Sequence, residues 1–305
     1  MIYTVTLNPS LDYIIDVTHF EPGMVNRTTA EKIFAGGKGI NVSMVLKNLG
    51  FDSTALGFLA GFTGKEIERQ LEEKGISTDF ICLEEGISRI NMKIRSEAES
   101  EINGLGPEIS QQAIKKMFDR LDELQEGDIL VLAGSIPASM PESVYRDIMT
   151  RLADRKLKIA VDATKSLLIN VLPFHPFVIK PNNHELGELF NVRIESKDQA
   201  VEYAKKLQEM GAQNVIVSMA GEGAVFVGDD GSVFQSEAPK GTVVSSVGAG
   251  DSMVAGFLAG WLKEKDYRYG FHMGIATGSA SAFSEYLATR EQIEEVYRQV
   301  TSEER

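Results

Sequence analysis

The second part of the chain, from about residue 108, alternates between amphipathic segments and short apolar runs. The spacing of apolar residues in the amphipathic segments predicts helices over 108–124, 141–155 and 197–210. The apolar runs are typical of strands and read DILVLAG, KIAVDA, FVIKPN and NVIVSMA. A strand that is apolar on both sides belongs in a parallel sheet whose two faces are covered by helices. The pattern therefore predicts an α/β fold with a doubly wound, mostly parallel sheet.

The first part of the chain contains segments that do not fit inside such a sheet. Residues 11–17 and 27–34 have extended patterns, and residues 88–103 alternate apolar with charged side chains, as a polar-faced hairpin does. We therefore assign these three segments to a small β-sheet lid within a single domain spanning residues 1–305. One face of the lid is expected to carry the apolar side chains of Ile14, Ile33, Ile90, Met92 and Ile94. A sheet this small leaves that face exposed unless it packs on a partner or over a ligand, so a homodimer through the lid is expected.

Charge and cysteine content exclude several classes of protein. A formal net charge of -13 argues against a nucleic-acid surface, because a polyanion is bound by clustered Lys and Arg. The single cysteine, Cys82, forms no internal disulfide and is expected to be buried in its apolar run. The N-terminus resembles a strand rather than a signal peptide, and no apolar run is long enough to span a membrane. A cytoplasmic protein with no membrane partner is therefore expected.

The segment SSVGAGDSMVAGFLAG sets one carboxylate, Asp251, among small residues where a helix begins. The β-branched residues 242–244 before it predict a strand, and the apolar stripe after it predicts a helix buried on one face. The first amides of such a helix have no intrahelical acceptor, and small residues let an anion such as phosphate approach them. Asp251 is also an ordinary residue type for a helix N-cap, so both a functional and a structural interpretation remain open.

Two long segments, AGGKGINVSMVLKNLG and SSVGAGDSMVAGFLAG, resemble the two signatures of the ribokinase-like (PfkB) carbohydrate kinases. The resemblance covers the full length, because TLNPSLD, SRINMK, AGSIP, KPNNHE and VSMAGEGA follow in family order. No Walker A sequence, dinucleotide-binding fingerprint, zinc-ligand cluster or nucleophile elbow competes with this interpretation. The resemblance implies an ATP-dependent sugar kinase that uses Mg²⁺.

The resemblance also implies a role for each matching residue. Asp251 is expected to stay ionised and to act as the general base, with an anion hole formed by the amides of Gly248, Ala249 and Gly250. The residues expected to bind the sugar are Asp12, Asn41 and Ser135, with the backbone of Gly36, Gly37 and Gly39. The cations expected to hold a sugar phosphate are Arg89 and Lys38, with Arg27 either joining them or remaining a solvated lid charge.

Other matching residues lie where the family binds the nucleotide. Asn182 and Glu185 correspond to the family's N-x-x-E and are expected to orient a metal through water, with Asn182 also near the nucleotide. The loop along the ATP phosphates and ribose is expected to include Ser218, Gly221 and Gly223, unless it is only a hairpin turn, and Ser246 is a further candidate.

The sequences of the segments TLNPSLD, GGKGIN, RINMK and VGAGDSM most resemble those of family members that phosphorylate fructose 1-phosphate. The expected activity is therefore formation of fructose 1,6-bisphosphate from fructose 1-phosphate and ATP. Two alternatives remain: a kinase for tagatose 6-phosphate or another sugar of the family, and a sugar-phosphate-binding regulator without catalysis.

Overall fold

The computed structural model describes residues 1–302 and contains two β-sheets in that part of the chain. The strands, in chain order, are β1 (Ile2–Thr6), β2 (Ser10–Asp16), β3 (Ala30–Gly36), β4 (Thr54–Ala60), β5 (Ser77–Leu83), β6 (Arg89–Arg95), β7 (Ser100–Asn103), β8 (Ile129–Ala133), β9 (Lys158–Asp162), β10 (Val178–Ile179), β11 (Asn214–Ser218), β12 (Ala224–Val227) and β13 (Val233–Ser236). The large sheet has the order β13-β12-β11-β10-β9-β8-β1-β4-β5, and only the β11–β12 and β12–β13 pairs are antiparallel. The predicted mostly parallel sheet is confirmed.

Helices cover both faces of the large sheet. In chain order they are α1 (Lys38–Asn48), α2 (Gly61–Glu73), α3 (Gln111–Leu121), α4 (Val144–Leu152), α5 (Lys165–Ile169), α6 (Asn183–Phe190), α7 (Lys197–Glu209), α8 (Ala249–Glu264), α9 (Tyr267–Ala282) and α10 (Arg290–Ser302). Successive residues of β8 belong to two separate apolar clusters, one against α1 and α8–α10 and the other against α3–α7. None of the helices within residues 1–302 has the length and apolar character needed to cross a membrane.

Two local expectations around α8 are wrong. Residues 242–244 form no strand, because the Val244 amide donates to the Ala282 carbonyl oxygen at the end of α9 at 2.8 Å rather than to a strand. The helix is buried on all sides from Asp251 to Gly260 rather than along one stripe. Its small residues explain this burial, since a side chain at Gly256 would collide with the Met273 carbonyl oxygen of α9 at 2.5 Å.

The second sheet, hereafter the lid sheet, consists of β2, β3, β6 and β7 in the order β3-β2-β6-β7. These strands correspond to the three segments predicted for the lid, and β6 and β7 form the expected antiparallel hairpin. Tyr13, not Ile14, is in register with both Ile33 and Met92, so Ile14 lies on the opposite face from them. Ile94 is buried. The predicted apolar face is therefore wrong for Ile14, whereas Ile94 shares the face of Ile90 and Met92 although it is buried. Tyr13 and Ile102 also belong to that face.

Cys82 is exposed, contrary to expectation. It lies on β5, the edge strand of the large sheet, where successive side chains point to opposite faces. Ile81 points into the core and is buried, so its neighbour Cys82 points outwards.

Candidate active site

A cleft of about 660 Å³ lies where the carboxyl ends of β1, β8, β9 and β10 meet the lid sheet. Such sheet edges are where open α/β folds bind ligands. The cleft brings together most of the residues that the sequence predicts for a site: Asp12, Gly37, Lys38, Asn41, Arg89, Ser135, Asn182, Glu185, Ser218, Ser246, Gly248, Gly250 and Asp251. Three others, Arg27, Gly221 and Gly223, do not line it, and Ala249 contributes only as the first residue of α8.

Asp251 is the third residue of α8, not its N-cap. The N-cap is Gly248, whose φ of 78° is in the left-handed region that favours glycine. The Asp251 carboxylate makes no capping hydrogen bond and instead accepts one from the side-chain amide of Asn41 at 2.8 Å. The structural interpretation of Asp251 as a helix N-cap is therefore wrong. Asn41 lines the cleft and also donates a hydrogen bond to the Asp251 carboxylate.

The surroundings of Asp251 raise its pKa to about 6. Burial is the largest cause and the neighbouring carboxylate of Asp162 adds to it, while Lys38 and the Asn41 hydrogen bond oppose both. At pH 7 the carboxylate form still predominates, as expected from the sequence. The group is nevertheless far closer to accepting a proton than an ordinary aspartate, which suits a general base.

Asp162, at the end of β9, lies between two lysines of the cleft. Its carboxylate oxygens lie 3.1 Å from Lys38 Nζ and 3.4 Å from Lys180 Nζ. Burial favours a higher pKa for Asp162, but the ammonium groups of Lys180 and Lys38 outweigh it and lower that pKa. The carboxylates of Asp162 and Asp251 in turn raise the pKa of Lys38 despite its burial. Asp162 therefore holds the ammonium groups of Lys38 and Lys180 beside the start of α8.

The lid sheet supplies the other wall of the cleft. Asp12 lies on β2, and its Oδ1 accepts hydrogen bonds from Ser10 Oγ at 2.8 Å and Asn91 Nδ2 at 3.0 Å. Arg89 donates from Nε to the Asn8 carbonyl oxygen at 3.0 Å, which leaves the two terminal nitrogens of its guanidinium for a ligand. Burial lowers the pKa of Arg89, because the charged guanidinium loses contact with water. An anionic ligand bound beside it would offset this loss.

Only one of the three glycines in GGKG serves the cleft. Gly37 lines it, with a φ of 122° and Thr6 Cγ2 only 2.5 Å from where a Cβ would be. Gly36 leaves room for Asp12, since a Cβ there would lie 2.6 Å from Asp12 Cγ. Gly39 lets α1 approach β1, because a Cβ would meet Thr6 Oγ1 at 2.6 Å. The expectation that all three contact the sugar is wrong for Gly36 and Gly39.

The predicted nucleotide residues divide into two groups. Asn182 and Glu185 form a reciprocal capping box at the start of α6, with both hydrogen bonds at 2.8 Å, and both line the cleft with Ser218. Gly221 belongs to a short 3₁₀ turn beside a neighbouring cavity, and Gly223 shapes that turn, since a Cβ there would lie 2.0 Å from the Ser236 carbonyl oxygen.

Arg27 is exposed in the loop before β3 and lies outside its own chain's cleft. A lysine on the lid sheet, Lys93, lines the cleft instead.

The family model described as pfkB family carbohydrate kinase matches residues 5–293. The chain belongs to this family. It is 47% identical to a 1-phosphofructokinase from Bacillus subtilis strain 168 and 35% identical to a D-tagatose-1-phosphate kinase from Bacillus licheniformis, in both cases over 98% of each chain. A crystal structure of phosphofructokinase-2 from Escherichia coli, in complex with substrates and products, superposes with a TM-score of 0.93 at 26% identity, covering 98% of this chain and 99% of that one.

In this pfkB kinase, several polar residues of the cleft had no role from sequence reasoning, among them Asp162, Lys180, Asn91 and Lys93. Asp162 lies near the end of the predicted strand KIAVDA and Lys180 opens the KPNNHE segment, so both lie at strand ends where ligands bind. Arg89, Asn91 and Lys93 alternate along β6, and that period of two was the signal that they share one face.

Proposed function

We propose that this pfkB carbohydrate kinase transfers the γ-phosphoryl group of ATP to the 6-hydroxyl of fructose 1-phosphate, forming fructose 1,6-bisphosphate and ADP. The observation that carries the proposal is one cleft with Asp251 at the start of a helix and Arg89 on the lid sheet. A kinase acting on a sugar phosphate needs both, a base at the attacked hydroxyl and a cation at the existing phosphate. The family membership and the 47% identical relative support the same assignment.

In the proposed reaction the sugar hydroxyl oxygen attacks the γ-phosphorus and its proton passes to Asp251. A bond forms between that oxygen and phosphorus, and the bond from phosphorus to the bridging oxygen breaks as ADP leaves. The amides of Gly250 and Asp251 in the first turn of α8 lack intrahelical acceptors and would stabilise the charge on the transferring group, whereas the Ala249 amide donates to the Ser246 carbonyl oxygen at 3.3 Å. Lys38 and Lys180 would add positive charge on the same side.

Mg²⁺ fits this cleft as a hydrated ion. The capping box occupies one oxygen each of Asn182 and Glu185, so the second Glu185 oxygen remains, together with the buried Asp162 Oδ1, whose neighbour in the described chain is Lys180 Nζ at 3.4 Å. No cluster of three or more His, Cys, Asp or Glu within residues 1–302 could hold a metal ion by itself. Mg²⁺ commonly keeps several waters and binds through substrate phosphates. When bound, it would neutralise charge on the ATP phosphates.

D-Tagatose 1-phosphate is the second candidate substrate, because a relative of that name is 35% identical over almost the full chain. It differs from fructose 1-phosphate at one hydroxyl and carries its phosphate at the same carbon. A regulator without catalysis is less well supported, since the base and the helix start are both in place. An enzyme that uses ATP and a sugar phosphate belongs in the cytoplasm, and we propose that location.

Phosphorus NMR of the product tests the proposed activity. Purified protein is incubated with ATP, Mg²⁺ and fructose 1-phosphate, and we expect a second sugar phosphate signal that matches authentic fructose 1,6-bisphosphate. Asp251→Asn is the matched control for contaminating kinases. No product above that control, or a new phosphate at another carbon, would contradict the proposal.

We further propose that the chain forms a homodimer through the outer face of the lid sheet. That face carries Tyr13, Ile33, Ile90, Met92 and Ile102, and Ile33 and Ile102 are 51% and 61% exposed. Apolar side chains adjoining on one sheet face are stabilised by a partner that covers them. In such a dimer the exposed Arg27, which lies outside the cleft of its own chain, would be available to bind a substrate in the partner's cleft.

A further inference from the structure

The face of the lid sheet that borders the cleft carries three polar side chains of one strand. Arg89, Asn91 and Lys93 alternate along β6, and Asn91 is in register with Asp12 on β2. A strand rises about 3.3 Å per residue, so Lys93 lies roughly 13 Å along the strand from Arg89. The two cations of β6 therefore stand at opposite ends of the sugar-binding wall and cannot hold the same phosphate.

Asn91 has a side-chain carbonyl with no partner. Its Nδ2 donates to Ser10 Oγ at 3.1 Å and to Asp12 Oδ1 at 3.0 Å. The opposite orientation of the amide would place its carbonyl oxygen against the Asp12 carboxylate, so the orientation is fixed by the network. Asn91 is only 6% exposed, yet Oδ1 accepts no hydrogen bond within the described chain. Buried acceptors are nearly always paired, so this one calls for a donor from a ligand.

Lys93 presents the complementary group. It is also 6% exposed, and its Nζ lies 3.6 Å from Asp12 Oδ2 and 3.7 Å from Glu101 Oε1. Both distances exceed a hydrogen bond, so the two carboxylates balance the charge of the ammonium without occupying its three donors. Asp12 thus stands between an unpaired acceptor on one side and an available donor on the other.

We propose that Asn91 and Lys93 together bind one hydroxyl of the sugar, with Asn91 Oδ1 accepting a hydrogen bond from the hydroxyl and Lys93 donating one to its oxygen. A hydroxyl is the group that donates and accepts at once. A phosphate dianion has no proton for Asn91 and would lie against the carboxylates of Asp12 and Glu101. The pair therefore determines which stereoisomer of the sugar phosphate binds well, while Arg89 holds the phosphate. This inference rests on the proposed sugar-phosphate kinase function.

The test compares Lys93→Met and Asn91→Leu with wild type on fructose 1-phosphate and on two ketohexose 1-phosphates epimeric at C3 and C4. Losing a charge-assisted contact should raise the KM for fructose 1-phosphate roughly 10- to 150-fold in Lys93→Met. We expect kcat and the KM for ATP to change less than about threefold, because the contact is made in ground and transition states alike. The ratio of kcat/KM between fructose 1-phosphate and one of the two epimers should fall in both variants, and it should be the same epimer in each.

Lys32→Met is the matched control, because Lys32 lies on the same face of the lid sheet, pairs with Glu285 and does not line the cleft. It should leave epimer preference unchanged. Thermal melting establishes that each variant folds; if Lys93→Met does not, Lys93→Gln replaces it, with sugar-phosphate affinity measured by calorimetry.

Lys93 could act only by holding Asp12 in place, and an Asp12→Asn background distinguishes that role from direct contact with the sugar. If Lys93 contacts the sugar, Lys93→Met weakens calorimetric binding there as well; no further weakening would overturn the proposal. An unchanged KM, or equal losses on all three epimers, would overturn it too. If wild type phosphorylates none of the sugar phosphates, the proposed function fails instead, which is a different result from active wild type with unaffected variants.

Discussion

Replacing Asp251 by asparagine should stabilise the protein while it removes the activity. The pKa of Asp251 is raised from 3.8 to about 6, mainly by burial and by Asp162. The folded protein therefore pays for an ionised carboxylate at neutral pH. A shift of this size corresponds to about 3 kcal/mol in the free energy of unfolding. Asparagine keeps an oxygen that can accept the Asn41 hydrogen bond but carries no charge.

The sign of this effect depends on pH. Well below pH 3.8 the carboxyl group is protonated in both states and wild type loses no stability. The loss grows as pH rises from about 4 to about 6 and is complete above that range. Asp251→Asn should therefore gain up to about 3 kcal/mol at pH 8, roughly 5 °C in Tm, and less than about 1 kcal/mol at pH 4. In the same variant kcat should fall at least roughly 10²-fold, since general-base catalysis contributes that much.

Urea unfolding at pH 8 and pH 4, with a coupled kinase assay at pH 8, measures both effects. Asp119→Asn changes the same charge at an exposed site and should stay within about 0.5 kcal/mol of wild type. Asp162→Asn should act in the opposite direction, losing about 3–5 kcal/mol, because it removes the carboxylate that is paired with both Lys38 and Lys180. A destabilised Asp251→Asn at pH 8, or an equal gain at both pH values, would refute the reasoning.

Three further predictions concern substrate, proton and assembly. Arg89→Ala should raise the KM for fructose 1-phosphate roughly 10- to 150-fold but affect unphosphorylated fructose far less; steady-state kinetics showing equal losses would make Arg89 a scaffold residue. The pH profile of kcat/KM should fall below about pH 6, and Lys38→Met should move that limb to higher pH because its ammonium lowers the pKa of Asp251; an unmoved limb would contradict this. Ile33→Lys should convert a dimer to monomer in light scattering, whereas a concentration-independent wild-type monomer would refute the dimer.

The sequence was sufficient for features that depend on local pattern. Apolar strands between helices indicated the parallel sheet, and residue types at strand ends indicated where the cleft lies. It was insufficient where two distant segments set the chemistry. Asn41 and Asp251 are 210 residues apart, and Lys38 and Asp162 are 124 apart, so no local pattern reveals the contacts that adjust the base.

The lid sheet shows how a shift of one residue changes a surface. Alternation in residues 88–103 placed Ile90 and Met92 correctly on the outer face, but the pairing of β2 with β3 was not visible in the sequence. Because side chains alternate with a period of two, choosing Ile14 rather than Tyr13 puts the wrong side chain on that face. The same alternation along β6 predicts that Asn91 and Lys93 lie on the face opposite to Ile90 and Met92.

The measurement that most directly tests the substrate assignment is kcat/KM on a panel of sugars at fixed ATP. The panel contains fructose 1-phosphate, fructose 6-phosphate, tagatose 1-phosphate, tagatose 6-phosphate and fructose, and a coupled assay reports ADP. The proposed cleft, with Arg89 at the phosphate and Asp251 at the attacked hydroxyl, predicts the highest kcat/KM for fructose 1-phosphate. A higher kcat/KM for either tagatose phosphate, or for a sugar without phosphate, would contradict it.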